Sequence, residues 1–212
     1  MLIKYQNLTI RNAVPADAKQ LCAWYNDGNI MAQFGYPNGM GLEYKPPEEI
    51  PQDNAADNTD DNLHIIELDG NPIGEMNYRN FCYPDGIIEL DGKPINEADY
   101  RNMERAIEPG IKICDLSARD KGYGTKLLTM FFDALFRYYG CEKIILDTDL
   151  KNERAQYVYE KKLGFRRLGI HKDVSLDESE YYASVVYFEM NKADWIASQK
   201  EPLEYTHSYC AV

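Results

Sequence analysis

Arg119-Asp120-Lys121-Gly122-Tyr123-Gly124-Thr125 and, later in the chain, Asn152-Glu153-Arg154-Ala155-Gln156-Tyr157-Val158-Tyr159 running on to Gly164-Phe165 are the segments that decide the fold. The first is a glycine-bearing turn that opens a long apolar helix. The second places an amide, Asn152, and a phenol, Tyr159, on a later helix. Between them Lys143–Asp149 reads as a strand.

The first segment has a physical meaning of its own. Gly122 and Gly124 let the backbone turn tightly and approach a ligand closely. The helix behind them begins with N–H groups that have no partner within the helix, at its positive dipole end. That combination holds a phosphate or pyrophosphate. The loop is neither G-x-x-x-x-G-K-[ST] nor G-x-G-x-x-G, so neither a Walker loop nor a dinucleotide fingerprint is present. A glycine turn needed only for packing is the other reading of the same residues.

In combination the two segments resemble the Gcn5-related N-acetyltransferase (GNAT) superfamily. Its R/Q-x-x-G-x-G/A turn reads here Arg119-x-x-Gly122-x-Gly124. Its later N-x-x-A-x-x-x-Y helix reads Asn152-x-x-Ala155-x-x-x-Tyr159, followed by Gly164-Phe165. The resemblance covers residues 111–170 clearly, and 8–35 and the segment near Ile65 more loosely. It implies an α/β (α+β) GNAT fold, with a mixed, splayed central sheet flanked by helices and acetyl-CoA entering where two neighbouring strands part. It also implies roles. Cys114 offers backbone to the pantetheine arm; Arg119, Asp120, Lys121, Gly122, Tyr123, Gly124 and Thr125 hold the pyrophosphate through backbone N–H groups. Asn152, on the helix that carries Ala155, hydrogen-bonds the pantetheine or acetyl end, and Tyr159 protonates the departing thiolate. A phenol of ordinary pKa, about 10, suits that transfer. The alternative for Tyr159 is a packed core tyrosine.

The nucleophile in such a reaction is a neutral amine, and an acid near the acetyl group would accept its proton. Asp147 and Asp149 close the strand before Asn152 and leave it on one face. The spacing Asp147-x-x-x-x-Asn152 resembles that of aminoglycoside 6′-N-acetyltransferases, as do Trp24-Tyr25-Asn26-Asp27 and Ile65-Ile66-Glu67-Leu68-Asp69-Gly70. Ribosomal-protein N-acetyltransferases share these features. The expected activity is therefore acetyl transfer to a small cationic amine such as an aminoglycoside or polyamine, in the first case an antibiotic-resistance activity. The alternatives are a peptide N-terminus as acceptor, or a non-catalytic acyl-CoA-binding domain. Asp147 as a strand-end cap or surface acid stays open, and Asp149 reads as structural or solvated.

The whole chain bounds these readings. With 212 residues it suits one domain over residues 1–200. Its net charge of −12 argues against nucleic acid and anionic membrane as partners, and suits a cationic substrate. No signal-type h-region or long apolar run appears, so a cytoplasmic protein is expected. The five cysteines form no C-x-x-C pair or metal-like spacing, which predicts reduced structural thiols and no metal. Monomer and homodimer both stay open.

The remaining elements follow from pattern. Residues 2–11 read as one strand, and a helix starts at Pro15 with Leu21, Cys22, Trp24 and Tyr25 on its apolar face. Residues 35–61 are an acidic, proline-rich loop, either a solvated segment or an acidic wall beside a cleft. Ile65-Ile66-Glu67-Leu68-Asp69-Gly70 recurs as Ile87-Ile88-Glu89-Leu90-Asp91-Gly92, which predicts two hairpins around Asp-Gly turns, the second (84–105) an insertion. Residues 122–139 form a helix with Leu127, Leu128, Phe131, Leu135 and Tyr138 at helical spacing. Residues 165–170 and 182–190 read as a closing strand pair, and 201–212 as a loose tail.

Overall fold

The helix from Tyr123 to Tyr138 is apolar on nearly every face, and the rest of its surroundings follow from that. Leu127, Leu128, Met130, Phe131, Phe132, Ala134, Leu135 and Phe136 are all buried, whereas Tyr138, expected on the apolar face, is exposed. The computed structural model describes residues 1–43, 62–81, 89–90, 93–94, 106–175, 182–199 and 203–208. The strands are β1 (Leu2–Tyr5), β2 (Leu8–Asn12), β3 (His64–Leu68), β4 (Asn71–Asn80), β5 (Glu89–Leu90), β6 (Lys93–Pro94), β7 (Ala106–Ile113), β8 (Lys143–Asp149), β9 (Arg166–Ser175), β10 (Tyr182–Asn191) and β11 (Thr206–Ser208). The α-helices are α1 (Ala18–Asn26), α2 (Gly28–Met31), α3 (Tyr123–Tyr138), α4 (Glu153–Tyr157) and α5 (Lys192–Ser198). The chain divides into two compact units.

The first unit comprises residues 1–78, 111–124 and 205–212. Its strands run antiparallel in the order β11-β1-β2-β3-β4. The segment expected as one strand at the N-terminus is a hairpin, with Leu2 opposite Arg11. Gln6 takes a left-handed φ of 54° and, with Asn7, turns the chain between two runs that both look like strand. Thr206–Ser208, in the stretch expected to be loose, pairs with β1. Pro15 opens a short 3-10 turn ahead of α1, where the Asp17 carboxylate accepts from the Val14 N–H at 2.8 Å. Leu21, Trp24, Ile30 and Met31 from α1 and α2 pack with Ile65 and Cys114. Gly74 lets β4 and β7 approach closely, since a Cβ there would lie 2.2 Å from the Lys112 carbonyl oxygen.

The second unit comprises residues 79–110 and 125–204. Here β8 runs parallel to β7 and antiparallel to β10, and β10 runs antiparallel to β9, which makes the sheet mixed. The β7–β8 pairing covers only Ala106 with Lys143 and Ile107 with Ile144. Pro109 follows at once; it has no N–H to donate, so the ladder stops there. Of the predicted second hairpin, Glu89–Leu90 pairs with Lys93–Pro94; the rest of 84–105, and residues 44–61 of the acidic loop, lie outside the described residues. The helix Lys192–Ser198 has no counterpart in the sequence reading. Its Trp195 is buried against Phe132 and Phe136, and its indole N–H donates to Asp133 at 3.1 Å.

Candidate active site

In the first unit, the end of β7 leads into the turn. Asp115 caps a 3-10 turn by accepting from the Ser117 N–H at 2.8 Å, a bond that holds its carboxyl below the usual range. Arg119 then folds back and donates Nε–H to the Ile113 carbonyl at 2.9 Å. Its Nη2 is buried and has no hydrogen-bond partner. Asp120 and Gly122 both take left-handed φ values, 63° and 79°, and so aim successive N–H groups to one side before α3 begins. The first turn of α3 leaves the N–H groups up to Thr125 without helical partners.

The two glycines of the turn have different reasons. At Gly122 the sign of φ demands glycine, although a Cβ would meet nothing. At Gly124 φ is ordinary and a Cβ would meet only the Ile113 Cδ1 at 3.6 Å, a normal contact. The fold therefore accepts alanine at 124. None of the described residues requires glycine there.

Cys114, whose backbone is expected to meet the pantetheine arm, follows β7 and is buried. Its N–H donates to the Ile73 carbonyl at 2.8 Å, so only its carbonyl is left for a ligand. Its thiol is in the core, where burial pushes its pKa up to about 12, which rules out a thiolate nucleophile at neutral pH. Nearby, the Glu75 carboxylate on β4 accepts from the Lys112 Nζ at 2.6 Å, and Glu75 Oε2 is buried with no partner. Lys112 Nζ also lies 5.4 Å from the Tyr25 ring centroid and 5.6 Å from that of Phe34.

The second unit holds the acid and the phenol. Asp147, opposite Tyr187 of β10, is half-buried. Loss of water pushes its carboxyl up to about 6; the Glu108 charge adds to the rise and Arg79 opposes it. Arg79 grips Glu108 with a two-pronged contact, Nε to Oε2 at 3.2 Å and Nη2 to Oε1 at 2.9 Å. Asp149 accepts from the Lys151 N–H at 2.7 Å, the structural role the sequence suggested. Asn152 Oδ1 caps α4 by accepting from the Ala155 N–H at 3.1 Å, so only its amide N–H group remains for a ligand.

After Tyr157 the helix widens into a π turn, Val158–Lys162, with Leu163 N–H donating to the Val158 carbonyl at 3.0 Å. Such widened turns recur at functional sites. Tyr159 lies in this turn, buried against Phe165 and Phe188. Burial, and next the Asp147 charge, hold its phenol well above the usual tyrosine value. Both groups are thus shifted upward, and the Asp147 charge adds to the rise at Tyr159. Sequence reasoning missed Glu108 and Arg79, whose contact joins residues 29 apart with no local pattern to mark it. Among the described residues no cluster of His, Cys, Asp and Glu is placed to hold a metal, and no helix is long and apolar enough to cross a membrane.

The sheet is mixed and is flanked by helices. Residues 113–165 match the model of the acetyltransferase (GNAT) family. No curated protein matches the chain. Among solved structures, spermidine N-acetyltransferase from Vibrio cholerae, in complex with CoA and spermine, is similar at 20% identity and a TM-score of 0.67, covering 91% of this chain and 99% of its own. Aminoglycoside acetyltransferase AAC(6′)-Ib in complex with coenzyme A and kanamycin is similar at 22% identity and a TM-score of 0.64, with coverage of 91% and 99%. An N-acetyltransferase from Staphylococcus aureus Mu50 is similar at 22% identity and a TM-score of 0.55, over 88% and 99%. The chain has the fold of these structures, and its residues 113–165 are similar to the acetyltransferase (GNAT) family.

Proposed function

We propose that this protein is an acetyl-CoA-dependent N-acetyltransferase acting in the cytoplasm on a small cationic amine, such as a polyamine or aminoglycoside. The observation that carries this reading is the Asp147–Tyr159 pair, a carboxyl raised to about 6 whose charge acts on a phenol held protonated. The residues present fit the cosubstrate. The buried, unpartnered Nη2 of Arg119 and the N–H groups from Asp120 to Thr125 suit a pyrophosphate, and the room at Gly124 admits it. Acetyl-CoA, when bound, supplies an activated acetyl thioester.

Asp147 as carboxylate holds the incoming ammonium and accepts its proton, leaving a neutral amine to form the new C–N bond. Tyr159 gives its proton to the sulfur as the C–S bond breaks, and its raised pKa keeps that proton available throughout the neutral range. The amide N–H group of Asn152 is left to hold the acyl or pantetheine end. The acidic net charge and the amine ligands of two of the structural neighbours agree with a cationic acceptor.

The test is CoA release, followed with a thiol reagent, from acetyl-CoA with aminoglycosides, polyamines and short peptides. Turnover on an aminoglycoside or polyamine that is lost in Asp147→Asn is expected. Turnover on peptides alone would transfer the reading to a protein N-terminus. Binding of acetyl-CoA with no turnover at all would make the domain a non-catalytic acyl-CoA binder.

A further inference from the structure

We propose that Phe165 is a positioning residue for Tyr159: its backbone N–H and its ring together fix the phenol that protonates the departing thiolate. This rests on the acetyl-transfer reading above. Tyr159 has no anchor at its polar end. Among the described residues none forms a hydrogen bond with its hydroxyl; burial, and then the Asp147 charge, act on it. A proton donor has to be held to within a fraction of an ångström. Its ring must therefore be held by its neighbours and by the backbone beneath it.

The backbone hold is specific to this turn. In an unbroken α-helix the Tyr159 carbonyl would accept from the Leu163 N–H. Here the Leu163 N–H goes to the Val158 carbonyl at 3.0 Å, and the Tyr159 carbonyl accepts from the Phe165 N–H at 2.9 Å. Gly164 makes this possible with a left-handed φ of 75°, as in a Schellman closure. In the ordinary closure the bond would run from Phe165 to Glu160, three residues before the Leu163 cap. The extra residue of the π turn carries it back to Tyr159.

The ring hold comes from the same residue. The Tyr159 and Phe165 ring centroids lie 6.3 Å apart, and Phe188 of β10 meets Tyr159 edge-on at 5.7 Å. Phe188 offers only a ring, whereas Phe165 offers a ring and a backbone bond. Phe165 is itself held: its ring is 5.4 Å from Phe132 of α3, which lies 6.0 Å from Trp195 of α5. The Trp195 indole donates back to Asp133 of α3 at 3.1 Å. The phenol is thus tied through Phe165 to α3.

The experiment is a double-mutant cycle in kcat with acetyl-CoA and spermidine, over wild type, Phe165→Leu, Tyr159→Phe and the double variant. Gly164→Ala opens the same closure from the backbone alone, since its Cβ would meet only the Met190 Cε at an ordinary 3.8 Å while its φ disfavours alanine. Phe165→Leu should lower kcat about tenfold or more when Tyr159 is present. In the Tyr159→Phe background it should lower kcat less than about twofold, because the proton to be placed is gone. Gly164→Ala should show the same pattern with a smaller factor, and acetyl-CoA Kd should stay within about twofold throughout. Equal factors in the two backgrounds would make Phe165 a packing residue and overturn the proposal, as would no loss when Tyr159 is present.

A second readout needs no turnover. Carbon-13 NMR of ζ-labelled tyrosine, with the Tyr159 signal assigned by its absence in Tyr159→Phe, follows the phenol through its titration. The charged groups about it are Asp147 on β8 and Glu160, Lys161 and Lys162 in the π turn, with Glu160 paired to Lys161. Arg166 and Glu189, which follow Phe165 and Phe188, pair with each other. Neither variant alters these groups, so a phenol loosened into water should titrate at lower pH, toward the ordinary value of about 10. An unchanged midpoint in Phe165→Leu and Gly164→Ala would overturn the proposal. If the wild type transfers no acetyl group to spermidine, the functional reading fails while this titration still decides whether Phe165 holds Tyr159.

Discussion

Two glutamate–cation pairs join β4 to β7, and they are built in opposite ways. In the first unit, Glu75 is sealed, with a side chain 1% exposed, and its partner Lys112 is clamped over the rings of Tyr25 and Phe34. In the second unit the cation is the exposed partner, and the charge of the acid it grips adds to the rise that burial gives the Asp147 carboxyl. The same chemical contact is thus sealed in one place and exposed on its cation side in the other. What separates them is exposure: the Lys112 side chain is 23% exposed and that of Arg79 57%. Lys112 has two aromatic faces and a buried acid that loses everything if it leaves.

The largest effect should come from breaking the clamped pair. Lys112→Met leaves the Glu75 charge buried and unpaired, and should cost about 3 kcal/mol of stability. Thermal unfolding should register this as a fall of roughly 6–12 °C. Arg79→Gln should shift Tm by no more than a few degrees, since exposed pairs contribute at most about 1 kcal/mol. Equal losses in the two variants would erase the distinction between them.

Next come the chemical groups of the second unit. Tyr159→Phe should lower kcat by about a hundredfold or more, with acetyl-CoA binding little changed in calorimetry. A similar loss of acetyl-CoA affinity would make Tyr159 a packing residue. The stability of Asp147→Asn sharpens the same point. Because the folded carboxyl ionises near 6, above the unfolded value of 3.8, its contribution to stability is present below about pH 4 and is lost as pH rises through 6. The Asn variant should therefore match wild type in Tm at pH 4 and exceed it at pH 7.

The smallest effect on the fold tests the first unit's turn. Gly124→Ala should leave Tm within about 1 °C, as the added Cβ makes only an ordinary contact with Ile113. It should still weaken acetyl-CoA binding, measured by titration. Unchanged binding would make Gly124 incidental.

The turn and the Asn152–Phe165 helix were legible in the sequence because both are local patterns in which glycine, amide and phenol have fixed spacing. The apolar helix α3 was legible for the same reason. The N-terminal hairpin was not, because a two-residue turn at Gln6 and Asn7 carries no glycine to interrupt an otherwise strand-like run. The π turn was invisible because one extra residue in a helix changes no residue type. The helix Lys192–Ser198 is short and is held by one buried indole, Trp195, rather than by a periodic face. Asn152 was read as a ligand contact, and its capping of α4 follows from a backbone geometry that its identity alone does not reveal. The Arg79–Glu108 contact depends on strands meeting across 29 residues of chain, and only the fold supplies that.

The most direct measurement of the central claim is the pH dependence of kcat/KM for acetylation of a polyamine by wild type and Asp147→Asn. A limb in which activity rises as pH passes through about 6, present in wild type and absent in the variant, is the predicted result. The same limb in both proteins would contradict Asp147 as the group that takes the amine's proton.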